Sequence, residues 1–216
     1  MRLRFIAIAT IVAGATALAQ DDPVPRFGTT VVVPFGLRGL IYNVRKNTTH
    51  LPDNLHKRKP TGKPIYTESL NVPPQMFEKG FPGVTARFEW FAIDYTGRFW
   101  IAKPGTYRFA LTSDDGANLY IDGDLIIDND GIHPPRTRES RVDLKRGIHT
   151  LRVPYFQGPR FMVALVLEVA GEGEDLRVFS TNEFKPPPNP ATWMSPGNPS
   201  NVGDPLTGQT DARPQN

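Results

Sequence analysis

The chain has 216 residues, 39% of them hydrophobic and 22% charged, with 22 prolines, 19 glycines and no cysteine. Proline and glycine both break helices, and at this density they exclude a coiled coil, a helical repeat array and a multi-span membrane protein. The lack of cysteine closes disulfides, thiolate zinc sites, iron–sulfur clusters and thiol nucleophiles, while a formal charge of +3 supplies no basic stripe for nucleic acid.

The first nineteen residues divide into a short basic start (Met1 to Arg4), an apolar run from Phe5, and Ala17-Leu18-Ala19. That order is the anatomy of a secretory signal peptide, and the apolar run is too short to span a bilayer. It predicts cleavage after Ala19 and export to the periplasm or the extracellular space, with no transmembrane segment left behind. Losing Arg2 and Arg4 leaves 23 basic against 22 acidic side chains, a net charge of +1. Residues 20–29 read as a polar lead-in, and 30–184 as one domain rich in valine, isoleucine and aromatic residues.

Within that domain the periodicity is two. Phe88, Trp90, Phe91, Tyr95, Phe99 and Trp100 form a dense aromatic block, expected to fill a core because alternating strands require such residues. Tyr107, Phe109 and Leu111 alternate with Arg108, Ala110 and Thr112, a half-buried strand. Leu119-Tyr120-Ile121 and Leu125-Ile126-Ile127 flank Asp122-Gly123, whose tolerance of positive φ predicts a tight hairpin. Val142 with Leu144, and Leu151 with Val153 and Tyr155, continue the alternation. Phe161 to Val169 is apolar on both faces and reads as a strand inside a sheet. These elements predict an all-β, antiparallel β-sandwich or jelly-roll-like barrel. Residues 185–216 are proline-rich and apolar-poor, and read as a disordered tail.

Chemistry is sparse. No GxSxG elbow or phosphate-cradling glycine loop is present, and His50, His56, His133 and His149 lack metal-ligand spacing. Glu89 and Asp94 have no feature that marks them as a glycosidase pair. The group Arg136, Arg138, Arg141, Lys145 and Arg146 reads as a solvated sheet face. Three acidic turns stand out: Asp114-Asp115-Gly116, Asp122-Gly123-Asp124 and Asp128-Asn129-Asp130-Gly131. Adjacent acidic loops can supply the six to eight oxygens that Ca²⁺ takes, and the same residues also simply bend a chain. Both readings stand at this point. Asp128, Asp130 and Glu139 fit three positions of a helix–loop–helix calcium loop, but His133 occupies its obligatory glycine, so that motif is absent.

Read in order, Pro104-Gly105-Thr106-Tyr107, then Thr112-Ser113-Asp114-Asp115-Gly116-Ala117-Asn118-Leu119-Tyr120-Ile121-Asp122-Gly123, then Val153-Pro154-Tyr155-Phe156-Gln157-Gly158, the sequence resembles the protective-antigen-fourteen domain family. Gly36 to Tyr42 is similar to the family's opening strand, and Ala164 to Glu168 to its last motif. The resemblance implies a β-sandwich used as a binding or spacer module, with no catalysis of its own. In the family's flocculin-type adhesins, two consecutive aspartates joined by a cis peptide bind Ca²⁺, which grips sugar hydroxyls. Asp114 and Asp115 match that pair. The adhesins draw an asparagine ligand from a later loop, which here reads Gln157-Gly158-Pro159-Arg160. The resemblance therefore implies Asp114, Asp115, Gln157 and Arg160 as carbohydrate-binding candidates, with Asp114 and Asp115 as Ca²⁺ ligands and a glycan as partner. The alternative is a structural or protein-interaction module of the bacterial cell envelope that holds no metal.

Overall fold

The computed structural model describes residues 27–76, 87–159 and 162–188. Residues 1–19, expected to be a signal peptide, Arg160 and nearly all of the stretch expected to be a disordered tail lie outside the described residues.

The described chain is all-β, with a single 3-10 turn at Leu55–Lys57. Eleven strands run in the order β1 (Leu37–Asn43), β2 (Ile65–Thr67), β3 (Asn71–Met76), β4 (Phe91–Ile101), β5 (Gly105–Asp114), β6 (Ala117–Ile121), β7 (Asp124–Asn129), β8 (Arg136–Leu144), β9 (Gly147–Gln157), β10 (Met162–Ala170) and β11 (Arg177–Val178). One sheet has the order β2-β1-β4-β9-β6-β7, and the other the order β11-β10-β5-β8 with β3 also paired to β10. Every pairing is antiparallel. The predicted sandwich is thus the observed one. No helix among the described residues is long and apolar enough to cross a membrane.

The alternation read from the sequence places the core between the sheets. Ile93, Tyr95, Phe109, Leu111, Leu151, Val153, Tyr155, Leu165 and Leu167 all point into it and are essentially inaccessible to solvent. β10 lies inside its sheet, which explains why its sequence shows no polar face. Of the aromatic block, Phe91, Tyr95 and Phe99 fill the interior, while Trp90 joins a smaller cluster on the outer face and Phe88 is half-buried. Phe99 meets Phe109, Phe179 and Phe184 in edge-on contacts with ring centroids 5.4–6.5 Å apart.

Two features depart from the strand pattern. Phe27, inside the stretch read as a polar lead-in, is buried against Phe91 and Tyr155, and its carbonyl accepts a 2.5 Å hydrogen bond from the Tyr95 hydroxyl. Tyr42, Ala92 and Phe156 should face solvent by alternation. Instead the long β1–β2 connection folds Val44 and Leu55 over them, building a second small core on the outer face of the first sheet.

Asp122-Gly123 forms the expected hairpin turn between β6 and β7, with φ of 52° and 92° at its two central residues. Both values are positive, as a type I′ turn requires. Asp114-Asp115-Gly116 has a different task. β5 belongs to one sheet and β6 to the other, so this turn carries the chain between layers at one end of the sandwich.

Candidate functional site

The site is assembled from the ends of strands. Asp114 closes β5, opposite Ala164 of β10, and the Asp114–Asp115 peptide is cis. Gly116 follows because nothing larger fits. A Cβ there would lie 2.6 Å from Asp130 Oδ1, 2.9 Å from the Gly131 nitrogen and 2.9 Å from the Phe156 ring. The β7–β8 loop is therefore packed directly against the turn. From the other side comes the β9–β10 loop, whose Gly158 carbonyl accepts from the Trp90 nitrogen at 3.1 Å.

These loops meet the two aspartates unequally. Asp115 is 3% exposed, and both of its carboxylate oxygens accept backbone N–H groups, from Gly158 at 2.7 Å and His133 at 3.2 Å. Asp114 is 7% exposed, yet its carboxylate makes no hydrogen bond with any described residue. Burial raises the pKa of both, and the Asp115 charge adds to the effect at Asp114, which is pushed up to about 7. At Asp115 the two N–H donors oppose part of that rise. Since no buried side-chain oxygen among the described residues lacks a partner, the unbonded Asp114 carboxylate faces solvent at the corner, beside an Asp115 carboxylate that two N–H groups hold.

Behind the pair lies a polar hub. Asn129 is completely buried; its amide nitrogen donates to Ser113 Oγ and to the Arg136 carbonyl, both at 2.9 Å, and its Oδ1 accepts from Arg136 Nε at 2.7 Å. Asn118 Oδ1 accepts the Asn129 backbone N–H at 3.0 Å. His133 is fixed by the same loop, its ring nitrogens 2.9 Å from the carbonyls of Asn129 and Pro134. Asp130 holds the outer wall, accepting from the backbone nitrogens of Leu51 and Gly131 at 2.8 and 2.7 Å, with His50 3.3 Å away.

The four residues implied by the resemblance fare differently. Asp114 and Asp115 come together at the surface corner. Gln157 is beside them but turned inward and fully buried, with its Oε1 2.5 Å from the Tyr155 hydroxyl and its Nε2 donating to the carbonyls of Pro159 and Met162. The Tyr155 hydroxyl also reaches the Asp114 carbonyl at 2.8 Å, so Gln157 and Tyr155 brace the turn from within. Arg160 lies outside the described residues.

As for a cation, the two carboxylates suit Ca²⁺ in chemistry and charge, because hard divalent ions take carboxylate oxygen. Gln157 in this arrangement offers no oxygen, and no group of three or more His, Asp or Glu among the described residues could hold a metal ion. Further oxygens would have to be backbone carbonyls and water.

Two other acidic residues singled out in the sequence are occupied elsewhere. Asp122 is tied to His149 Nδ1 at 2.6 Å and to the Thr150 nitrogen at 2.8 Å. Asp94 is buried on the outer face of the first sheet and pairs with Arg152 Nε at 2.8 Å. Sequence reasoning did not anticipate the backbone donors of His133 and Gly158, nor the hub made by Asn129. Gly158 carried a faint signal, since a Cβ there would lie 3.0 Å from Asp115 Oδ2 and only glycine lets its backbone come so near.

Comparison with known proteins agrees with this architecture. Residues 39–173 match the family described as the PA14 domain. No curated protein sequence matches the chain. Among solved structures, the PA14 sugar-binding domain from an RTX adhesin is similar at a TM-score of 0.57 and 18% identity, covering 68% of this chain and 96% of that one. The PA14 domain of the MpAFP antifreeze protein is similar at 0.55 and 17%, covering 76% and 93%. The epithelial adhesin 9 A domain from Candida glabrata, solved in complex with Galb1-3GlcNAc, is similar at 0.51 and 13%, covering 75% and 94%.

Proposed function

The chain belongs to the PA14 domain family, and from that premise we propose that it is an exported, non-enzymatic carbohydrate-binding module whose glycan site lies at Asp114 and Asp115 and works through Ca²⁺. One observation carries the reading: two consecutive buried aspartates sit at a loop corner, and the Asp114 carboxylate has no hydrogen-bond partner among the described residues. The Asp122 carboxylate of the neighbouring turn, by contrast, is held by His149 and Thr150. Export is supported by the basic-apolar-Ala-x-Ala start, which predicts a mature chain beginning at Gln20.

In this reading Asp114 and Asp115 are the cation-holding residues, and the N–H groups of His133 and Gly158 fix the Asp115 carboxylate in place. Tyr155 and Gln157 hold the turn from the inside, and Asn129 with Arg136 holds the loop that carries His133. A bound Ca²⁺ supplies the concentrated positive charge to which vicinal sugar hydroxyls coordinate. Rigid support from three loops lowers the ordering cost of binding.

A second reading has its own observation. Both Asp115 oxygens already accept N–H groups and Gln157 is turned inward, which suits an envelope module that binds a protein or serves as a spacer without metal. Melting curves in Ca²⁺ and in chelator separate the two. The calcium reading expects a rise worth about 2.7 kcal/mol at a hundredfold excess over the dissociation constant. Asp114→Asn with Asp115→Asn should abolish that rise together with any glycan-array signal. Identical curves in calcium and chelator would overturn it in favour of the metal-free module.

A further inference from the structure

The other end of β5 carries a second concavity. A cleft of about 480 Å³ is lined by Thr106, Arg108 and Arg141 on the sheet and by residues 171–174 of the β10–β11 loop, Glu172 and Glu174 among them. That volume is in the range of small-molecule sites. Arg108 lies six residues before Asp114, which along a strand is about 20 Å, so a single sugar cannot reach both places.

The charges in the cleft are arranged unusually. Arg108 and Arg141 are direct cross-strand partners of β5 and β8, which puts both guanidiniums on the same face. Like charges directly opposite each other destabilise a sheet unless something neutralises them. Glu139 does so weakly, its carboxylate 3.7 Å from Arg108 Nη1. Arg141 has no hydrogen bond or ion pair with any described residue. Glu174 does not serve either, because its carboxylate accepts from Arg177 Nη1 at 2.8 Å and from the Gly171 nitrogen at 3.1 Å. Glu172, by contrast, has no partner among the described residues. Gly173 has φ +76° with open space where a Cβ would stand, leaving that wall bare backbone.

Two guanidiniums side by side match a carboxylate, which they can grip with paired N–H groups. The carboxylates of Glu172 and Glu174 on the opposite wall disfavour a densely charged anion such as sulfate, while Glu172 is placed to accept hydroxyl protons. We propose that this cleft binds a carboxylate-bearing sugar, with Arg108 and Arg141 on the carboxylate and Glu172 on a ring hydroxyl. It is a second glycan subsite, independent of Asp114 and Asp115.

The test is a titration of the ¹⁵N-labelled full chain in chelator, which silences any calcium-dependent site, using sodium glucuronate, glucose and sodium sulfate as separate probes. Glucuronate should shift the amide signals of Thr106, Gly171 and Gly173 in a saturable way, and glucose should not. Arg141→Gln, which breaks no contact, should weaken glucuronate binding at least tenfold with the rest of the spectrum unchanged, and Arg108→Gln should act likewise. Equal binding of glucose or sulfate, an Arg141→Gln variant that titrates like the parent, or no shift at all would each overturn the proposal.

Discussion

Asp114-Asp115-Gly116 and Asp122-Gly123-Asp124 lie at opposite ends of the short strand β6, and they are built from the same two residue types. At the second turn, burial alone would raise the Asp122 pKa, but hydrogen bonds from His149 and Thr150 outweigh it and hold the carboxyl below its ordinary value. At the first turn, burial and the neighbouring charge prevail and Asp114 is pushed up to about 7. The glycines differ as well. Gly123 is required by its backbone, at φ 92° with nothing within 4 Å of a Cβ, whereas Gly116 is required by space alone. One turn is internally satisfied and belongs to the fold. The other is closely packed, and its Asp114 carboxylate has no hydrogen-bond donor among the described residues, the difference on which the calcium proposal rests.

The glycines give the largest contrast. Gly116→Ala forces a Cβ onto Asp130, the Gly131 backbone and the Phe156 ring, and is expected to cost about 3 kcal/mol, at the upper end for overpacking. Gly123→Ala meets only backbone strain and should cost about 1 kcal/mol. Denaturant melts of the two variants check this, and equal losses would remove the distinction between a packed corner and a free hairpin.

The aspartates should respond with opposite sign. In the unfolded chain Asp114 ionises near the ordinary carboxyl value of 3.8, but in the fold it is pushed up to about 7. A carboxyl raised in this way subtracts stability as pH climbs between those values. In chelator at pH 8, Asp114→Asn is therefore expected to stabilise the protein, by about 2 kcal/mol after allowance for relaxation. In excess calcium the sign should reverse, because the variant loses the ligand. Asp122→Asn, which weakens satisfied hydrogen bonds, should destabilise by about 1 kcal/mol in either buffer. Melting temperatures of both variants at pH 8, with and without calcium, supply the readout.

The smallest effect is a pH profile. Burial would lower the His149 pKa, but the hydrogen bonds to Asp122 and the Lys145 carbonyl raise it. A histidine raised in the fold contributes stability that is complete below its unfolded value of 6.5 and lost as pH rises through the folded value. Asp122 works in the opposite direction, its contribution present above 3.8 and lost as pH falls through its lowered folded value. The pair is thus strongest between those limits. Asp122 is 48% exposed at the side chain, so solvent screening restricts the contribution to about 1 kcal/mol. The advantage of the parent over His149→Gln should be present at pH 6 and shrink by pH 9; a constant difference would show that packing on Phe99, and not charge, holds the histidine.

Much of this was legible before folding is considered. Alternation at Tyr107–Leu111 and Leu151–Tyr155 marks the inward faces, because a strand's side chains have period two whatever its neighbours. Asp122-Gly123 marks its own hairpin, because the φ values it needs are a local property of those residues. Asp114-Asp115-Gly116 was legible as an acidic turn after a strand, whereas its crossing from one sheet to the other appears only in the strand pairings.

What the sequence could not decide is which partner each group meets, since that depends on pairings far apart in the chain. Gln157 and the two aspartates look alike as oxygen donors in sequence, yet the Tyr155 hydroxyl and two loop carbonyls turn the amide inward while the carboxylates remain at the corner. Phe27 reads as part of a polar lead-in until the first sheet gives it Phe91 and Tyr155 to pack on. Arg108 and Arg141 read as ordinary surface charges until the register of β5 against β8 sets them side by side. Local chemistry fixes the conformation a short segment adopts; only the tertiary fold, by choosing strand register and layer contacts, decides which donors and charges are satisfied and which are left for a ligand.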